Sequence, residues 1–152
     1  RRSNSARSAF RFKRRTTGKN RPPSTVNRPP STVDRMAFKF EKLEVWQKAL
    51  QLSLEIHELT LRFPKDELYV LTPQIKRAVD SISLNIAEGS TGQTTPAFKQ
   101  FLGYAIRSGI EVVGCLHIGK LRRIIEPSRF EGLYAKTESV VMMLQALRRS
   151  LK

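Results

Sequence analysis

The most informative stretch of this sequence is Gln74-Ile75-Lys76-Arg77-Ala78-Val79-Asp80-Ser81-Ile82-Ser83-Leu84-Asn85-Ile86-Ala87-Glu88-Gly89. Wound as an α-helix, with about 3.6 residues per turn, it separates into an apolar stripe and a polar ribbon beside it. The apolar stripe, typical of a helix that faces a core, consists of Leu71, Ile75, Ala78, Val79, Ile82 and Ile86. The polar ribbon consists of Gln74, Arg77, Ser81, Asn85 and Glu88. Such a ribbon favours a hydrogen-bonded network at a helix seam or subunit contact, and Gly89 predicts a left-handed residue at the helix end.

A second helix is predicted before this one, from about residue 41 to residue 62. Its apolar stripe recurs every three or four residues and consists of Val45, Ala49, Leu52, Ile56, Leu59 and Phe63. A further stripe widens the apolar face and consists of Leu43, Trp46, Leu50, Leu54 and Leu61. That width predicts burial on two sides, within the bundle and against another subunit. His57 lies among these residues, and we interpret it as a satisfied core or interface histidine.

Two more helices follow the central stretch. Thr95-Pro96 is a start signal for a helix that is predicted to reach Ile125. Thr72-Pro73 is the same signal before the helix that contains Gln74–Gly89. Ser128 and Glu131 have the spacing of a capping box, which predicts the start of the last helix. Four amphipathic helices with short connections predict an all-α fold, an antiparallel up-down-up-down four-helix bundle over residues 38–152.

Residues 1–37 have a different composition from the rest. The first 35 residues carry eleven Lys and Arg but one acid, and the segment Asn20–Val26 is repeated as Asn27–Val33. Proline, serine and arginine in this density predict a disordered basic leader. One interpretation is an arm that binds phosphates. The interpretation we favour is a translated upstream stretch, because Met36 directly precedes the helical part.

Several motifs of the helical part carry a resemblance to a known family. They are Phe40–Ala49, Phe63–Tyr69, Gln74–Ala78 and Ser81-Ile82-Ser83-Leu84-Asn85-Ile86-Ala87-Glu88-Gly89. The last of these resembles the S-I-x-x-N-I-A-E-G signature of the four-helix-bundle proteins encoded within intervening sequences of 23S rRNA genes. That family is related to the accessory variability determinant proteins of diversity-generating retroelements. The resemblance implies a ring-like homopentamer and, from the retroelement relatives, binding to a reverse transcriptase and its nucleic acid.

The resemblance also implies family-typical positions for four polar residues. They are Arg77, Asn85, Glu88 and Glu111. We interpret them as a buried or interfacial arginine–carboxylate network in which Asn85 is the bridge. A desolvated ion pair often contributes little net stability, so its predicted role is to specify assembly.

The sequence offers little catalytic chemistry. The sequence Gly114–Lys120 matches most of the G-x-x-x-x-G-K-[ST] pattern of a phosphate-binding loop. Leu121, however, stands where that pattern requires Ser or Thr, and the segment falls inside a predicted helix. The two histidines, His57 and His117, have no second ligand at metal-binding spacing. The single cysteine, Cys115, predicts a buried thiol in a reducing cytoplasm. We therefore predict that the protein is not an enzyme and has no metal site or cofactor. We also predict no membrane segment, because no apolar run reaches about 20 residues.

Basic side chains are the remaining functional candidates. Those at outward helix positions are Lys76, Lys99, Arg107, Lys120, Arg122, Arg123, Arg148, Arg149 and Lys152. They predict RNA or DNA binding through phosphate contacts, with no single-strand platform evident from the sequence. The alternative is a protein-only oligomeric scaffold, in which these charges serve solubility and helix capping.

Overall fold

The computed structural model describes residues 38–92 and 94–152, which fold into four α-helices without a strand. The helices are α1 (Glu44–Thr60), α2 (Leu71–Gly89), α3 (Thr95–Leu121) and α4 (Pro127–Ser150). Two short 3-10 helices, Lys39–Lys42 and Lys65–Tyr69, precede α1 and α2. The predicted all-α fold is confirmed. The predicted leader, residues 1–37, lies outside the described residues.

Each helix runs antiparallel to its neighbours. Along α2 and α3, Gly89 lies against Phe101, whereas Ser81, nearer the start of α2, bonds to Ser108, nearer the end of α3. The pairs α1–α2, α2–α3, α3–α4 and α4–α1 are in contact, and α2–α3 is the most extensive of them. In the described part of the chain, the backbones of the two diagonal pairs do not come as close as those of neighbouring helices. This is the predicted up-down-up-down arrangement, with one core at its centre.

The core consists of the apolar stripes of all four helices. From α2 it takes all six residues of the predicted stripe, and from α1 it takes Val45, Ala49, Leu52, Ile56 and Leu59. The largest side chains with almost no exposure on α3 and α4 are Leu102, Leu116, Leu133 and Leu144. A periodicity of three and four residues therefore identified the buried side of these helices correctly.

The end of α3 differs from the prediction. The helix stops at Leu121 instead of Ile125, because Arg123 adopts a left-handed conformation with φ of 59°. The N–H of Ile124 then donates to the carbonyl of Gly119 at 2.9 Å, and Arg123 N–H donates to Lys120 at 3.0 Å. These two bonds form a Schellman motif. The turn also places Ile125 in the core, directly against Gly119.

The starts of two helices also differ from the prediction. The first α-helix begins at Glu44, because residues 39–42 form a separate 3-10 turn. The last helix begins at Pro127 with Glu126 as its N-cap, so Ser128 lies inside the helix and the predicted capping box is wrong. Thr94, one residue before the predicted position, caps α3 by accepting a bond from the N–H of Ala97.

Gly89 has a different role from the predicted one. It is helical, and the left-handed glycine of the described residues is Gly92, with φ of 84°. A Cβ atom at Gly89 would lie 2.6 Å from the Cβ atom of Phe101 and 2.8 Å from the ring of Phe98. The absence of a side chain therefore lets α3 cross close to the end of α2.

The hydropathy of α3 also departs from the sequence expectation. By length and composition this helix is apolar enough to cross a membrane. The sequence prediction missed this because Arg107, Ser108 and Glu111 interrupt its apolar run. Within the bundle, α3 packs against α2 on one side and α4 on the other, as the core helix of a bundle does.

Candidate nucleic-acid interface

Two residues of the polar ribbon of α2, Gln74 and Ser81, form hydrogen bonds across the seam with α3. Asn85 Nδ2 donates to the carbonyl of Ser81 at 2.7 Å and to its Oγ at 2.9 Å. Ser108 Oγ on α3 donates to Ser81 Oγ at 3.0 Å. Nearer the start of α2, the side-chain amide of Gln74 donates to Glu111. These bonds fix the lateral position of α2 against α3.

The arginine–carboxylate part of the predicted network does not form within one chain. Arg77 is exposed, and its nearest polar partner is Gln74 Oε1 at 3.5 Å. Glu88 is exposed, and Asn85 bonds to its own helix and is not a bridge to a carboxylate. The buried ion pair is therefore wrong for a single chain, in which Gln74 and not Arg77 bonds to the carboxylate of Glu111. A contact of Arg77 with another subunit stays a prediction.

Two of the three predicted basic side chains at the end of α3, Lys120 and Arg122, are held by carboxylates of the same chain. Lys120 Nζ lies 3.1 Å from Glu131 Oε1 and 3.9 Å from the ring centre of Phe130. Arg122 Nη1 donates to both carboxylate oxygens of Glu67, at 2.8 and 3.0 Å. Glu67 also accepts a bond from the N–H of Leu71 and thereby caps α2. These two basic side chains therefore stabilise this end of the bundle.

The basic cluster at the end of α4 has no such partners. In the part of the chain that the structure describes, no ion pair involves Arg148, Arg149, Lys152 or Lys99. Because α3 and α4 are antiparallel, these residues lie at the opposite end from Lys120. The predicted candidate Lys76 is half-buried on α2, five residues after the helix begins.

Arg107 and Arg148 line one cavity on the outer side of α3. The cavity has a volume of about 380 Å³, and its other lining residues are Gln100, Gly103, Tyr104 and Ile106. None of the lining residues is acidic. Arg123, the remaining candidate, forms the turn after α3 and has no ion pair with a described residue.

A polar cluster that the sequence reasoning missed lies between α1 and α2. Ser53 Oγ donates to Asp80 Oδ1 at 2.5 Å, and His57 Nε2 lies 3.1 Å from Asp80 Oδ2. His57 is therefore half-buried and satisfied by a carboxylate. The carboxylate lies between the hydroxyl and the imidazole, so His57 cannot serve as the base for Ser53. The sequence feature that could have predicted this cluster is the spacing of four residues, which places Ser53 and His57 on one side of α1.

Several of the exposed apolar side chains fall into two groups. Leu50, Leu54 and Leu61 follow the outer side of α1, with exposed fractions of 42, 54 and 81%. They belong to the predicted second stripe, whereas its other members, Leu43 and Trp46, are half-buried against the core. The second group, which sequence reasoning missed, lies where α1 and α3 end and consists of Leu68, Tyr69, Val70 and Leu121.

The remaining titratable candidate is the thiol of Cys115. It is buried, and burial raises its pKa above the ordinary value of 9.0, with a smaller contribution from the charge of Glu111. A raised pKa keeps the group as an unreactive thiol. Within residues 38–92 and 94–152, no group of three His, Cys, Asp or Glu side chains is arranged to hold a metal ion.

The fold and these surfaces define an all-α up-and-down bundle with a polar seam between α2 and α3. Residues 41–146 match the family model described as 23S rRNA-intervening sequence protein, so this chain belongs to that family. A solved structure of similar fold is a protein of unknown function from the S23 ribosomal protein family of Bacteroides thetaiotaomicron VPI-5482. It has a TM-score of 0.63 and 20% identity, and the alignment covers 70% of this chain and 99% of that one. Comparison with curated proteins gives no match.

Proposed function

We propose that this chain is a non-enzymatic homo-oligomeric protein that binds RNA or DNA through phosphate contacts. The observation that carries the proposal is the difference between the two ends of the bundle. Where α3 ends, two of the three predicted basic side chains, Lys120 and Arg122, are paired with carboxylates, and Arg123 is not. Where α4 ends, Arg148, Arg149 and Lys152 are exposed and have no ion pair with the described residues.

The distribution of acids strengthens this contrast. Near the end of α3 lie the carboxylates of Glu58, Asp66, Glu67, Glu126 and Glu131. Near the end of α4 the acids are fewer, and Glu44, one of them, is paired with Lys48 at 3.0 Å. Unpaired arginines and lysines attract a polyanion over several ångströms and bind its phosphates by releasing counterions. The end of α4 is therefore the surface that we assign to nucleic acid.

Assembly is the second part of the proposal. The exposed leucines of α1 form a row that one chain leaves uncovered, and a second subunit is the simplest cover for it. We propose a pentameric ring, following the resemblance to the retroelement accessory proteins. A ring repeats the basic end of α4 around one rim, which strengthens its field. By the same resemblance, we propose a cytoplasmic accessory role toward a reverse transcriptase.

The test is the salt dependence of binding to a labelled RNA and to a DNA duplex. For phosphate contacts, the logarithm of the affinity falls linearly with the logarithm of salt concentration, by about 0.9 per phosphate on a duplex and about 0.7 on a single strand. Because residues 1–35 are themselves basic, the full chain is compared with residues 36–152. We expect the shorter chain to keep a steep salt dependence, and a salt-independent affinity would contradict the proposal.

The alternative is a protein-only scaffold that binds no nucleic acid by itself. The pairing of Lys120 and Arg122 with carboxylates favours it, because these two predicted nucleic-acid contacts already form ion pairs within the chain. Binding that disappears with residues 1–35 would support this alternative. Binding that persists in residues 36–152 would exclude it.

A further inference from the structure

We propose that the cavity lined by Arg107 and Arg148 is a nucleotide subsite for single-stranded nucleic acid. In this subsite the two guanidinium groups hold a phosphate, and an unstacked base lies on Tyr104. The inference rests on the proposed function and makes it more specific: it names the strand type and the residues that contact it. Nothing in the sequence pattern joined Arg107 to Arg148, which are 41 positions apart.

A glycine of α3, Gly103, lines the cavity beside Arg148. A Cβ atom at Gly103 would lie 3.8 Å from Cζ and 3.9 Å from Nη2 of Arg148, so this guanidinium extends across the α3 backbone. A larger side chain at Gly103 would occupy the space between the arginine and the helix. The volume of about 380 Å³ falls within the range of about 300–1,000 Å³ that is usual for small-molecule sites.

The lining chemistry favours an anion. Arg107 and Arg148 supply planar groups whose N–H donors match phosphate oxygens in pairs. Gln100 adds an amide, and no carboxylate lines the cavity to compete for the arginines. Lys120 and Arg122 differ from these two arginines, because each already forms an ion pair with a carboxylate of the same chain. Two arginines thus line this cavity with no carboxylate among the lining residues.

Tyr104 supplies the surface for a base. Its hydroxyl group lies 2.6 Å from Gln100 Nε2, and its ring lies edge-on to Phe101 with centroids 5.9 Å apart. These contacts hold the ring in place, while 38% of the residue remains exposed. A base that stacks on an aromatic side chain adds to affinity without requiring a particular sequence. A duplex keeps its bases stacked inside the helix, so only a single strand can use both Tyr104 and the arginines.

The test is fluorescence anisotropy on the full chain. The probes are a labelled oligothymidine and a blunt DNA duplex with the same number of phosphates. The variants are Arg148→Gln, Tyr104→Leu and Gly103→Leu. Arg149→Gln is the matched control, because it removes the same charge from the neighbouring residue, which does not line the cavity. Thermal melting of each variant establishes that the bundle is folded.

We expect Tyr104→Leu to weaken oligothymidine binding about 5- to 150-fold, the range for one stacked base. Arg148→Gln should reduce the log–log salt slope by about 0.7, the value for one phosphate of a single strand. Gly103→Leu should weaken oligothymidine binding with no change of charge. Duplex binding should respond equally to Arg148→Gln and Arg149→Gln.

The outcomes separate the two proposals. If Arg148→Gln and Arg149→Gln weaken oligothymidine binding equally, and Tyr104→Leu and Gly103→Leu have no effect, the subsite is overturned. General binding through charge, the proposed function, would then stand. If the unmodified full chain binds neither probe, both proposals are overturned.

Discussion

At the level of single residues, the nearest carboxylate determines what each basic side chain does. Arg122 reaches Glu67, which is only 8% exposed and also caps α2. A carboxylate with two charged or N–H partners stabilises the fold more than an exposed pair does, and exposed pairs contribute about 0–1 kcal/mol. Arg77, which forms no ion pair with a described residue, remains available for contacts outside the chain.

Cys115 gives a residue-level prediction about pH. Its folded pKa is raised above 9.0, so the folded chain keeps the thiol proton at a pH where the unfolded chain loses it. The stability contribution is fully present below pH 9.0 and is lost as the pH rises through the folded pKa. We expect the free energy of unfolding to fall by up to about 1.4 kcal/mol for each pH unit between the two pKa values.

The measurement is urea unfolding at a series of pH values from about 8 to about 10.5, at fixed protein concentration. Cys115→Ala is the control, because lysines and tyrosines titrate in the same range in both proteins. The unmodified chain should lose more stability than Cys115→Ala as the pH rises. Parallel curves for the two proteins would show that the thiol does not contribute.

At the level of helices, the sequence predicted which side of each helix is buried but not where the helices end. Apolar periodicity is a property of the local sequence, so the core stripes of α1 and α2 could be read directly. The end of α3 depends on Ile125 packing against Gly119, and the role of Gly89 depends on Phe101. Both contacts join different parts of the chain, and no local pattern encodes them.

The glycines of α2 and α3 give a matched pair of substitutions. Gly89→Ala places a methyl group 2.6 Å from Phe101 Cβ, so one helix must move. Gly114→Ala adds a methyl group at an exposed position with no other atom within 4 Å. We expect Gly114→Ala to stabilise the protein by about 0.5–1 kcal/mol and Gly89→Ala to destabilise it by about 1–3 kcal/mol.

Thermal and urea unfolding of the two variants would measure this difference. Both substitutions replace a helical glycine, but only Gly89 has another helix within contact distance, so the contrast between them reports the close crossing of α2 and α3. A stabilising Gly89→Ala would mean that α3 lies farther from α2 than the structure places it.

The candidate site shows the same division between local pattern and tertiary contact. The sequence identified the basic residues and placed Lys120 and Arg148 near the ends of their helices. It could not show that Arg122 pairs with Glu67, 55 positions away, or that Arg107 and Arg148 share a cavity. It also assigned Arg77 a carboxylate partner that Gln74 occupies instead. Pairing depends on helix register, which composition and periodicity do not determine.

At the level of the whole molecule, three surfaces differ in charge and polarity: the two ends of the bundle and the outer side of α1. At the end of α4 the predicted basic side chains have no ion pair with a described residue, whereas at the end of α3 two of the three, Lys120 and Arg122, are paired and apolar side chains are exposed. The outer side of α1 carries a row of leucines. If subunits associate through α1, the basic ends of α4 all point to the same side of a ring. Assembly and nucleic-acid binding are thus separable by mutation.

The row of leucines on α1 gives the whole-molecule prediction. Leu50 and Leu54 are one helical turn apart and both exposed, so Leu50→Gln with Leu54→Gln removes apolar surface without adding charge. Met142→Gln is the control, because Met142 is 62% exposed but lies on α4, away from this row. Light scattering of residues 36–152 would give the mass of each protein. We expect several subunits for the unmodified chain and for Met142→Gln, and a shift toward the monomer for the double variant.

The same samples test how assembly relates to nucleic-acid binding. If the ring concentrates the basic ends of α4, a short RNA should raise the mass of the unmodified assembly at low salt, and the monomeric double variant should bind it more weakly. An assembly of unchanged mass in the double variant would show that α1 is not the interface. The exposed side chains at the end of α3, among them Tyr69 and Leu121, would then be the surface to substitute. A monomeric unmodified chain would contradict the assembly proposal itself, because the exposed leucines would then face solvent in the functional protein.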